Sequence, residues 1–212
     1  MTHPNDPIPI NPSPKPFVRL ATRLLTSIAA SMVALAPLAA QTPLRIAYHI
    51  AMPDPAAHLY EIALDVDGAL GDTLPLQRPV WSPGRYAKMD FAKNVQNFTV
   101  TDAGGKPLHW DKTTGSRWVV STRGVRGVRI RYKSFDNLLS GTFSVLDTLH
   151  ANWNGPSLFM YVEGHKQNPV TLAVTPPDGW QVMNGDTRTA GQRDYRFENY
   201  DRLIDTPTEV AP

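Results

Sequence analysis

Tyr60-Glu61-Ile62-Ala63-Leu64-Asp65-Val66 is the stretch that decides the fold. Tyr60, Ile62, Leu64 and Val66 fall on one side of an extended chain, and Glu61, Ala63 and Asp65 on the other. That period of two is the mark of a strand with one face buried and one in water. The same alternation puts Val128, Ile130 and Tyr132 opposite Arg129 and Arg131. Shorter runs predict strands over Leu44–Ile50, Val95–Thr101, Arg117–Ser121, Thr142–Leu146, Ser157–Glu163, Val170–Thr175 and Asp194–Glu198. Between them stand turn sequences such as Asp102-Ala103-Gly104-Gly105, Asn154-Gly155-Pro156, Pro177-Asp178-Gly179 and Asn184-Gly185-Asp186, where Gly and Asn tolerate positive φ and Pro presets φ near −65°. With 20 Pro and 14 Gly in 212 residues, long helices are disfavoured. The expectation is an all-β, mainly antiparallel domain, a β-sandwich or saddle-like sheet, with at most short helices near Tyr86–Lys93 and Tyr200–Asp205.

Working outward, residues 1–40 read as a secretory signal: Lys15, Arg19 and Arg23 precede the apolar run Leu24–Ala40, which ends in small residues. Cleavage near Ala40 would release a domain over 41–212, exported to the periplasm or the medium. A retained anchor is the competing reading, but the run is near the short limit of about 17 residues for a span. No cysteine is present, so neither a lipoprotein anchor nor disulfides nor thiolate ligands are available. The chain carries a formal charge of +2; removing Lys15, Arg19, Arg23 and Asp6 brings it to zero. A nucleic-acid partner, which needs a clustered basic face, is therefore not expected.

Catalytic chemistry is hard to place. A helical zinc site needs two histidines one turn apart with a glutamate between them. The six histidines, His3, His49, His58, His109, His150 and His165, include no pair four apart. No Gly-x-Ser-x-Gly elbow occurs, and no Gly-rich loop has phosphate-cradling spacing. Asp201 and Asp205 would share a face of a short helix, where a solvated face or a cap is the simpler role. The expectation is no catalytic residue, no metal ligand and no cofactor within this chain.

The most distinctive segment is Pro79-Val80-Trp81-Ser82-Pro83-Gly84-Arg85-Tyr86. Pro83-Gly84 suits the centre of a type II turn, which would project Trp81 and Tyr86 with Arg85 between them. Such a turn is either a structural corner where aromatic rings plug the end of a sheet, the favoured reading, or an aromatic and cationic lip that contacts a peptide substrate through Trp81, Arg85 and Tyr86. A second aromatic cluster, Trp153, Phe159 and Tyr161, reads as core. Arg123, Arg126, Arg129, Arg131 and Lys133 read as a solvated strand face or as edge charges against sheet aggregation.

These motifs together resemble a known family. Pro79-x-Trp81-x-Pro83-Gly84-x-Tyr86, Asp90-Phe91-Ala92 with Val95, Asp102-x-x-Gly105, Pro177-Asp178-Gly179-Trp180 and Tyr200-Asp201-x-Leu203-x-Asp205-x-Pro207 look like the N-terminal domain of the glycyl aminopeptidases, metallopeptidase family 61, over about Leu44–Glu209. The resemblance implies a β-rich N-terminal domain followed by a zinc domain carrying His-Glu-x-x-His, in enzymes that cleave N-terminal Gly or Ala from peptides. Its zinc ligands would lie beyond Pro212, so the chain is expected to be inactive alone and to partner its own zinc domain. The competing expectation is a free-standing exported β-sandwich that binds peptide or carbohydrate.

Overall fold

The computed structural model describes residues 43–212, so the expected signal segment and its cleavage point lie outside the described residues. In chain order the strands are β1 (Arg45–Ala51), β2 (Leu59–Asp67), β3 (Thr73–Gln77), β4 (Val95–Asp102), β5 (Trp110–Thr114), β6 (Arg117–Ser121), β7 (Gly127–Phe135), β8 (Val145–Leu146), β9 (Ala151–Trp153), β10 (Tyr161–Val162), β11 (Val170–Thr175), β12 (Gln181–Asn184), β13 (Asp194–Phe197) and β14 (Thr208–Ala211). One short helix, α1 (Tyr200–Ile204), precedes β14. The all-β expectation holds.

Strands pair into a six-stranded sheet, ordered β13-β11-β1-β2-β7-β4, and two four-stranded sheets, β10-β3-β6-β5 and β12-β14-β9-β8. Every pairing is antiparallel except β1 with β11. The large sheet turns Tyr48, Ile50, Tyr60, Ile62, Leu64, Val128, Ile130, Tyr132 and Leu172 inward, as alternation requires. These residues form one hydrophobic cluster with Trp118 and Val120 of one small sheet and Trp153, Val182 and Val210 of the other. Each such side chain contributes about 1.5–3 kcal/mol by leaving water. On the opposite face Arg129 pairs with Asp65 and Lys133 with Glu61, in register across β7 and β2. Because β7 lies between β2 and β4, these charges are a solvated face and not edge guards.

Several local expectations need correction. Of Thr142–Leu146 only Val145–Leu146 is strand, and of Ser157–Glu163 only Tyr161–Val162. Leu158, Phe159 and Met160 are all fully buried in succession, so the segment has no solvent side and no alternation. The helix expected over Tyr86–Lys93 is a 3-10 turn at Phe91–Asn94, whereas α1 matches the second expected helix. Strands β3, β5, β9, β12 and β14 are not among the expected ones: Pro75 interrupts β3, β5 is largely exposed and polar, β9 has three residues, and β12 and β14 have four each.

Two positions show why particular residues are needed. A Cβ on Gly155 would stand 2.5 Å from the Cα of Ile204, so only glycine lets the Gly155–Ser157 turn touch α1. Asn97, at φ +50°, makes the bulge in β4. That bulge delivers Phe98 to Trp110, Trp118 and Tyr132, at ring separations of 4.7, 5.4 and 6.4 Å.

Candidate functional site

The buried run Ser157–Met160 is the anchor from which the site is built. Its carbonyls have no sheet partners, yet buried carbonyls must be satisfied. Arg78, itself fully buried, donates to the carbonyls of Ser157 and Leu158 and, at 3.2 Å, to Ser134 Oγ. Tyr132, Tyr200 and Tyr48 donate to Leu158, Phe159 and Met160 at 2.7, 2.8 and 2.7 Å. Burial pushes all three phenols upward in pKa, so they remain protonated donors. The result is a rigid floor, with Arg78 fixed three residues before Trp81.

From Arg78 the chain rises into the turn. Arg85 N–H donates to Ser82 carbonyl at 3.1 Å, and Gly84 has φ +72°, the type II geometry expected of Pro83-Gly84. Met89 N–H closes the loop on Val80 carbonyl at 2.9 Å. Trp81 is half-buried and packs on the core, so it is the root of the turn and not its tip. Arg85 is exposed and Tyr86 is fully so.

Facing the turn is a hairpin that the sequence did not single out. Asn137 bridges to Val145, and Leu138 N–H donates to Ser144 carbonyl. Its Leu138 and Leu139 are 54% and 62% exposed, unusual for neighbouring leucines in a polar loop. The base is firm, since Phe143 meets Phe91 edge-on at 5.7 Å and Asn154 binds the carbonyls of Ser140 and Phe143. Between Pro83–Arg85 and the hairpin's Leu138 and Ser140–Phe143 lies an open hollow of about 390 Å³. The pair Leu138-Leu139 before Ser140-Gly141 was the available signal. A larger basin of about 920 Å³ covers the outer face of the big sheet, but Arg45–Asp67 and Arg129–Asp65 already neutralise much of its charge.

Chemically the hollow is suited to binding. The Arg85 guanidinium offers a fork for a carboxylate or carbonyl, while Leu138 and Phe143 line the hollow with apolar surface. Tyr86 and Leu139, next to lining residues in the chain, stand exposed. Ser140 Oγ is occupied in accepting the Thr142 and Phe143 amides, at 3.2 and 3.1 Å. Among the described residues no group of three or more His, Cys, Asp or Glu is placed to hold a metal ion. Among the described residues, His49 bonds Thr175, His58 the Leu146 carbonyl, His109 Asp111, and His150 Asp147, each on a different partner. These residues do not fit a catalytic zinc. Asp201 is joined to Lys166 at 2.6 Å, and Asp205 ends α1, so the two aspartates form no acid–base pair.

The described residues thus form an all-β domain with a presented turn and an open hollow beside it. The chain belongs to the Peptidase M61 N-terminal domain family, which matches residues 47–212. It is also similar to an aminopeptidase N family protein from Idiomarina loihiensis, at 30% identity and a TM-score of 0.73. That match covers 78% of this chain and 29% of the Idiomarina protein, so the chain spans less than a third of its length. An M1 zinc metallopeptidase from Deinococcus radiodurans is more distant, at 15% identity and a TM-score of 0.45, covering 81% of this chain and 43% of the other. Comparison with curated proteins gives no match.

Proposed function

We propose that this chain is the non-catalytic N-terminal domain of an exported zinc aminopeptidase that removes N-terminal Gly or Ala, and that the Trp81–Tyr86 turn walls one side of its substrate cleft. Zinc, its ligands and the catalytic glutamate belong to a separate His-Glu-x-x-His domain, the partner of this one. Export rests on the signal-like residues 1–40. The observation that carries the reading is a contrast along one short segment: Arg78 and Trp81 are anchored, while Arg85 is exposed and lines a hollow and Tyr86 is fully exposed. Rigid roots under exposed tips are what a contact surface requires. Arg85 supplies a charge-assisted donor for the peptide, and Tyr86 with Leu138 and Leu139 narrows access.

With the chain joined to an M61 zinc domain, the double variant Arg85→Ala, Tyr86→Ala is expected to raise KM for alanyl peptides about tenfold, the loss of roughly one charge-assisted hydrogen bond, with kcat and Tm unchanged. An unaltered KM at unaltered stability would remove the turn from the substrate cleft.

A further inference from the structure

Trp81 is held by an ammonium group. Lys166 lies in the turn between β10 and β11, and its Nζ stands 5.2 Å from the Trp81 ring centroid. The same nitrogen is 5.6 Å from the Tyr161 ring, 5.8 Å from the Tyr200 ring and 2.6 Å from Asp201 Oδ1. Its backbone is fixed as well, because the Tyr200 N–H donates to the Lys166 carbonyl at 2.9 Å. Tyr161 and Tyr200 themselves meet at 5.1 Å, completing a wall of rings around the cation. One charge thus joins three separate parts of the chain: the presented turn, β10 and α1.

The chemistry of that arrangement is specific. A ring's negative face attracts a cation, and more strongly where water is partly excluded. Lys166's side chain is 31% exposed, so the attraction is only partly screened. Asp201 aims the ammonium; without it the long lysine stem has many rotamers. Trp118 also has a cation over its ring, Lys112 Nζ at 4.7 Å, but it stacks on Phe98 at 5.4 Å as well, whereas the ring–ring contacts among the described residues do not include Trp81.

We infer that Lys166 is a positioning residue for the Trp81–Tyr86 turn, seating the Trp81 ring and so fixing the direction in which Arg85 and Tyr86 leave the surface. Its functional meaning rests on the peptide-contact reading of that turn, but its effect on the turn is measured without substrate. In the full chain, Lys166→Met keeps the stem and removes the charge. Hydrogen exchange at the Arg85 and Met89 amides, which close the turn, is expected to quicken about tenfold, with the β2 and β7 amides unchanged. Lys166→Arg, which keeps the cation, is expected to restore slow exchange. Unchanged exchange in Lys166→Met would overturn the inference, as would equal quickening throughout β2 and β7, which marks a global stability role. Failure of Arg85→Ala, Tyr86→Ala to alter KM would instead sink the peptide-contact reading and leave the role of Lys166 in the turn standing.

Discussion

Arg78→Leu is expected to lower the stability of the domain by about 3–5 kcal/mol, the range for removing one member of a buried, hydrogen-bonded charge system. The leucine fills most of the volume, so the loss is not mainly a cavity. It comes from the carbonyls of Ser157 and Leu158, which lose their donor inside the protein, and from Ser134, which loses a bond of 3.2 Å. Asp136, 2% exposed, also loses its neighbouring positive charge. Lysine should rescue little, because one ammonium cannot reproduce a planar fork that reaches two successive carbonyls. Urea unfolding of Arg78→Leu and Arg78→Lys checks this; a loss below about 1 kcal/mol in both would show that Ser157–Met160 is held by packing alone.

Asp136 gives the second large effect, and it depends on pH. Burial raises its pKa from 3.8 to about 6, opposed by hydrogen bonding to Ser134, the charge of Arg78 and hydrogen bonding to Asn94. The folded state therefore binds the proton more tightly than the unfolded chain does. The stability this provides is complete below about pH 4 and is lost as pH rises through about 6. Two pKa units correspond to roughly 3 kcal/mol. Wild-type protein is thus expected to unfold at lower urea concentration at pH 7.5 than at pH 5. Asp136→Asn, which stays neutral, should flatten that slope. Asp147, held below the usual carboxylate range first by the His150 amide and then by the Leu149 amide, loses its contribution only at lower pH and so acts outside this window. An undiminished slope in Asp136→Asn would place the pH dependence elsewhere.

Much of the large sheet was legible because its strands have one wet and one dry face. β2 and β7 alternate along their length, and side chains enforce the register by pairing Asp65 with Arg129 and Glu61 with Lys133. Turns were legible where φ or side-chain chemistry dictates them, as at Gly84, Gly105 and Gly179. What escaped was structure set by distant partners. Ser157–Met160 looks like a strand locally, yet its carbonyls are claimed by Arg78, Tyr48, Tyr132 and Tyr200, residues far away in sequence. The candidate site shows the same division. Its turn was readable from Pro83-Gly84, and Arg85 and Tyr86 are exposed on it, but Trp81 points inward because Lys166 and the core receive it. Nothing in the spacing of Leu138 and Leu139 ties them to Arg85; only the fold brings the hairpin to the turn.

The central claim, that the domain frames a cleft whose metal chemistry resides in another domain, meets its most direct test in zinc content and aminopeptidase activity measured together on the purified chain. The expected result is no zinc retained through dialysis and no hydrolysis of glycyl or alanyl anilides. Stoichiometric zinc, with hydrolysis that a chelator abolishes and added zinc restores, would contradict it.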